Sequence, residues 1–216
     1  MDGDNDGFCD DVDTCPTTPD PNQLDSDNDG DGDECDICNN IAGVTQLKTL
    51  LSLTKLLTPP GDDKMIFKGF FDGVPLTPTI NPVANGFRVV LEDEAGLIAD
   101  ATLAGGAYDP FQRVGWKLNA AGTSWKYTNK GTSIPLDDGI TTLVLKKMKS
   151  PANRFKFVVE GKTGSYAVTD PPVKAALVFD VPLATTGQCG EATFPNTYPV
   201  RPSCRSVSKG NTLKCQ

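Results

Sequence analysis

Residues 140–160 read ITTLVLKKMKSPANRFKFVVE. They hold two short runs, Ile140 to Met148 and Arg154 to Glu160, dense in the Val, Ile, Phe and Thr that suit a pleated, half-buried strand. Similar runs recur at Lys64 to Phe71, Gly86 to Glu92, Gly96 to Leu103, Gln112 to Leu118, Ser124 to Thr128 and Val173 to Val181. Turn-forming residues separate them, among them Pro59-Pro60-Gly61-Asp62, Asn119 to Gly122 and Asp137-Asp138-Gly139. Many short strands at this spacing predict an antiparallel β-sandwich or barrel-like domain. Val44 to Leu57 allows two readings, because its leucines at 47, 50, 51, 53, 56 and 57 fit a helical face while Leu53 to Leu57 also fits a strand. The preferred expectation is a strand near Leu53 to Leu57, in a hairpin with Lys64 to Phe71 across the Pro-Pro-Gly turn; a helix over Thr45 to Leu51 is the alternative.

Charge divides the chain. Residues 1–40 carry 14 acidic side chains and no Lys or Arg, so the net charge of −8 leaves +6 on residues 41–216. An acidic arm joined to a mildly basic body marks a domain boundary after residue 40. The body, at about 175 residues, is long enough for one core of its own.

Within the arm the aspartates alternate. Asp2-x-Asp4-x-Asp6-Gly7-x-x-Asp10-x-x-Asp13 is followed by Asp25-x-Asp27-x-Asp29-Gly30-x-x-Asp33-x-x-Asp36. Both keep loop positions 1, 3, 5, 9 and 12 of a calcium loop, with glycine at position 6 where the chain must turn sharply. Position 7, held by Phe8 and Asp31, offers a backbone carbonyl. Ca2+, which takes six to eight oxygens in a flexible cage, fits this set better than Mg2+, which demands a tight octahedron. Two or more Ca2+ ions are expected. The loops are not EF-hands, because three prolines between Cys15 and Gln23 exclude a helix between them.

The string Asp13-Thr14-Cys15-Pro16, then Pro21-Asn22-Gln23-Leu24-Asp25, ending in Gly32-Asp33-Glu34-Cys35-Asp36-Ile37-Cys38, resembles the thrombospondin type 3 repeat over about the first 38 residues. The resemblance implies a backbone wrapped around a row of calcium ions with almost no secondary structure. It implies a Cys15–Cys35 disulfide and the loop aspartates as ligands, with Asp20 standing where the family usually has Asn. Asp36-Ile37-Cys38-Asn39-Asn40 begins another repeat and abandons it, so Cys38 lacks its usual downstream partner, and Cys9 looks for one upstream. The body is more weakly similar to uncharacterised C-terminal β domains of exported bacterial proteins, through Gly115-Trp116-Lys117, Ser124-Trp125-Lys126-Tyr127, Phe155 to Val159 and Gly187-Gln188-Cys189-Gly190. That similarity implies location and fold and lends no activity.

Seven cysteines, 21 glycines and 17 prolines suit an oxidised, loop-rich protein, secreted or at the cell surface. No signal peptide and no membrane-spanning run is visible, so Met1 reads as a start left by cleavage or truncation. Near the C-terminus, Cys204 and Cys215 lie symmetrically about Lys209-Gly210, as a two-residue hairpin turn would place them; Cys189 with Cys204 is an equal alternative. An odd count leaves at least one thiol free or bonded to another chain.

The absence of histidine excludes Ser-His-Asp and Cys-His catalysis and His-bearing metal sites. A carboxylate pair remains chemically open, but Glu92-Asp93-Glu94, Asp137-Asp138 and Glu160 read as loop or solvated groups, so no enzyme is expected. Trp116, Trp125 and Tyr127 read as core in preference to the sugar-stacking platform of a carbohydrate- or surface-binding module. Lys146-Lys147-Met148-Lys149 reads as the charged end of a strand guarding a sheet edge, and no nucleic-acid partner is expected. The preferred expectation is an extracellular structural or adhesion protein whose arm Ca2+ stiffens, with self-association into a surface filament or binding to other surface proteins.

Overall fold

The computed structural model describes residues 1–28, 30–39, 44–57, 59–132, 134–169, 172–179, 187–197 and 199–216. The expected domain boundary after Asn40 falls outside them. The body forms two antiparallel sheets. The larger runs β11(Cys204–Val207), β12(Thr212–Cys215), β1(Thr45–Thr54), β2(Asp63–Asp72), β8(Phe155–Gly164), β7(Ile140–Lys147), β6(Ser124–Asn129), β5(Val114–Leu118) in spatial order. The smaller runs β10(Cys189–Phe194), β9(Val173–Val178), β3(Phe87–Asp93), β4(Gly96–Leu103). One short helix, α1(Pro82–Asn85), leads into β3.

Alternation drives the packing. In β2, Met65, Phe67 and Phe71 are buried while Lys64, Ile66 and Lys68 face solvent. The small sheet contributes Phe87, Val89 and Leu91, and Phe179 stands between the sheets with its ring 5.1 Å from Phe71 and 5.0 Å from Phe87. Trp116, Trp125 and Tyr127 are buried in this core, so they form no exposed stacking platform.

Three expectations change. The strand in Val44 to Leu57 is Thr45–Thr54, ending before Leu56, and no helix forms at Thr45 to Leu51. A break in register between Leu47 and Leu50 interrupts its alternation, which is why the leucines looked helical. The hairpin across Pro59-Pro60-Gly61 does form, with Thr54 opposite Lys64. The second change concerns β7, which is interior, paired with β6 and β8, so Lys146 guards no edge. Third, Cys38 is bonded to Cys189, 151 residues away. It is no orphan, and the alternative pairing of Cys189 with Cys204 does not form.

Cys204 and Cys215 sit directly opposite on β11 and β12 and are bonded, across four connecting residues instead of two. Cys15 is bonded to Cys35, and Cys9 is the free, exposed thiol that parity requires. Asp137 and Asp138, considered above as acid-base candidates, cover a sheet edge: Thr102 N donates to Asp137 Oδ2 at 2.6 Å and Asp100 N to Asp138 Oδ2, both along edge strand β4.

A candidate metal centre in the N-terminal arm

The arm has no helix or strand among its described residues. Two copies of one hydrogen-bonded loop stand in its place. Asp2 accepts from Asn5 N at 2.7 Å and Gly7 N at 3.2 Å; Asp25 accepts from Asn28 N at 2.7 Å and Gly30 N at 3.1 Å. Gly3 N donates to Asp10 and Ser26 N to Asp33, while Cys15 N donates to Asp13 and Cys38 N to Asp36. Asn5 and Asn28 share left-handed φ values of 65° and 61°, and Gly7 and Gly30 share 108° and 104°. Every pair is separated by 23 positions, so the arm is a true structural repeat.

The first copy gathers its carboxylates. One oxygen each of Asp2, Asp4 and Asp6 lie within 4.8 Å of one another, and so do oxygens of Asp6, Asp13 and Asp20. Oxygens bound to Ca2+ at about 2.4 Å stand up to about 4.8 Å apart across the ion, so either group matches its shell. Asp6 belongs to both. Asp4 Oδ2 and Asp13 Oδ2 are buried and accept no hydrogen bond. Burial raises the pKa of Asp4 and of Asp20, whereas the Phe8 N–H donating to Asp6 lowers that of Asp6.

Around the second group lie two residues that spacing alone does not single out. Gln23 Nε2 donates to Asp13 Oδ1 at 2.8 Å and to Asp20 Oδ1, and Thr14 Oγ1 donates to Asp20 Oδ2 at 3.1 Å. Gly32 closes over this point from the second copy. A β-carbon there would stand 2.7 Å from Asp20 Oδ2, Cys15 Sγ and Thr14 Oγ1, so only glycine fits.

Of the remaining expected ligands, Phe8, named for its backbone carbonyl, has an exposed side chain. Asp10 lies outside both groups and binds Gly3 N. Among the described residues, Asp25, Asp27, Asp31, Asp33 and Asp36 form no third group, and Asp29 lies outside the described residues. Asp31 instead pairs with Lys174 Nζ of β9 at 2.7 Å. Asp36 is buried beside the joint, where Ile37 and the Cys38–Cys189 bond pack on Val90, Ala176 and Val178, the outer face of the small sheet.

Comparison with family models, curated proteins and solved structures gives no match for this chain.

Proposed function

We propose that the arm is a Ca2+-binding structural element, held by its last repeat to an extracellular β-sandwich. The observation that carries this reading is the convergence of Asp2, Asp4 and Asp6 from alternate positions, with Asp4 Oδ2 buried and without a hydrogen-bond donor. Carboxylates this close repel one another, and a divalent ion converts that repulsion into attraction. Asp6, shared by both groups, couples two ions in a row. Asp13, Asp20 and the Phe8 carbonyl complete the set in the first copy, and the equivalent aspartates of the second copy, Asp25, Asp27, Asp29, Asp31, Asp33 and Asp36, are its weaker counterpart.

Three disulfides support a secreted or cell-surface setting, where calcium is abundant enough for sites of modest affinity. Among the described residues no helix is long and apolar enough to cross a membrane. The role is mechanical, not enzymatic: the arm spaces or displays the β domain, as an adhesion protein or a filament subunit would. Isothermal titration with CaCl2 tests the binding. The wild type is expected to release heat with Ca2+ and much less with Mg2+, and Asp4→Asn to lose the first site. Scattering curves that coincide in calcium and in chelator, with no calcium heat, would sink the reading.

A further inference from the structure

The outer face of the eight-stranded sheet carries lysines in an arrangement that is unfavourable for the isolated molecule. Register sets Lys117 directly opposite Lys126 and Lys146 directly opposite Lys156, and places Arg205 opposite Lys214. Like charges directly opposed across antiparallel strands are destabilising. The outward carboxylates on these strands are Glu160 and Asp72, and Arg154 Nη2 holds the latter at 2.6 Å. Among the described residues, no ion pair reaches Lys68, Lys126, Lys146, Lys156 or Lys214. The face is a broad, net cationic surface, with Lys117 also lying 3.8 Å over the Tyr108 ring.

Its complement is on the same chain but on the other side of the sandwich. The arm, with 14 acidic and no basic residues, packs through Ile37 and Cys38 on the outer face of the four-stranded sheet. It therefore cannot fold back onto the lysines. Asp11 and Glu34 occupy equivalent positions in the two loop copies, are exposed, and lie outside the candidate ligand set, so they keep their charge when calcium binds.

We propose that the lysine face of the eight-stranded sheet docks the acidic arm of a second copy of this chain. Two different surfaces on opposite sides of one molecule make a heterologous contact, and repetition of it builds an open chain of subunits unless the rotation happens to close. The contact rests on the filament reading above for its purpose but needs no metal for its chemistry.

The test uses the full chain in sedimentation velocity at about 0.1 M and about 1 M salt, between which the screening length falls from ~10 to ~3 Å. Concentration-dependent association at the lower salt, lost at the higher, is expected. Lys126→Glu with Lys146→Glu, and separately Asp11→Lys with Glu34→Lys, should each weaken association about tenfold or more, and the quadruple variant should recover it. Calcium titrations of the same samples separate the two ideas: association without calcium heat supports this contact while removing the metal reading. A chain that stays monomeric at low salt, or charge reversals that leave association unchanged, overturns the proposal. So does a monomer retained on heparin and released by salt, which would assign the face to an external polyanion.

Discussion

Replacing Cys38 and Cys189 together by alanine tests whether the arm and the sandwich are one mechanical unit. Alanine is preferred to serine because a hydroxyl buried among Val90, Ala176 and Val178 would add a desolvation cost of its own, about 1–3 kcal/mol. The bond links positions 151 residues apart, the longest span of the three. For a loop of that length the chain-entropy relation gives about 5 kcal/mol at 25 °C, and removal of native disulfides spans about 2–5 kcal/mol. At about 2–4 °C per kcal/mol for a chain of this size, the melting temperature should fall by about 4–20 °C. The melt is read by near-ultraviolet circular dichroism, to which the buried Trp116 and Trp125 contribute.

The same variant separates joint from metal site. The Asp2 to Asp20 groups are closed by the Cys15–Cys35 bond, which the variant leaves intact, so the calcium heat should be unchanged. With the covalent tie gone, the Lys174–Asp31 pair and the Ile37 contact remain between arm and sheet, and a partly exposed ion pair contributes about 0–1 kcal/mol. Small-angle scattering should therefore show a longer maximum dimension. A melting temperature lowered by less than about 2 °C, in a wild type whose bond is verified by mass spectrometry, would refute the entropic reasoning; an unchanged scattering profile would refute the joint.

Gly32→Ala places a β-carbon 2.7 Å from Asp20 Oδ2 and Cys15 Sγ, so it should abolish the calcium heat of the second group while leaving the sandwich melt in place. Phe179→Ala opens a cavity between the sheets, where the ring contacts Phe71 and Phe87, and should cost about 3–5 kcal/mol in denaturant titrations with calcium binding unchanged. The Arg154 guanidinium holds the Asp72 carboxyl below its ordinary 3.8, and a lowered folded-state pKa gives stability that is present above the unfolded value and lost as pH falls through the folded one. Asp72→Asn should thus destabilise at pH 7, and its difference from wild type should shrink as pH drops below 3.8; a difference constant with pH would exclude the pair as its cause.

Most of the sandwich could be read from sequence because its central strands bury one face and wet the other. β2, β6 and β8 each alternate buried aromatics with exposed lysines, a pattern that survives translation into structure almost residue for residue. The strand with no sequence signal, Cys189–Phe194, is six residues long, poor in β-branched residues, and owes its conformation to β9 beside it, whereas the Cys204–Cys215 hairpin was legible from the symmetry of its cysteines. In the arm, the alternate spacing marked Asp2, Asp4, Asp6 and Asp13, which the fold brings into the two carboxylate groups, and also Asp10, which it does not. Gln23 and Thr14 escaped because no spacing rule marks an amide or hydroxyl that supports a carboxylate. Lys174 and Cys189 escaped for a different reason: they meet the arm across 143 and 151 residues, a distance only tertiary folding closes.

The 23-residue repeat explains why the two copies differ in use. Position 15 and position 38 are equivalent, and at both the cysteine N–H donates to the side-chain Oδ1 of the aspartate two residues earlier, at 2.8 Å. In the first copy that cysteine bonds Cys35 and closes a loop around clustered carboxylates. In the second copy the equivalent cysteine bonds Cys189 on β10, and the counterpart of Asp20 is Gly43, which carries no carboxylate. The counterpart of Phe8 is Asp31, whose charge engages Lys174 of the sandwich. One repeat scaffold thus serves two ends. The first copy concentrates negative charge in two carboxylate groups; the second forms no such group among its described residues and instead ties the arm to the β domain through Cys38–Cys189 and Asp31–Lys174.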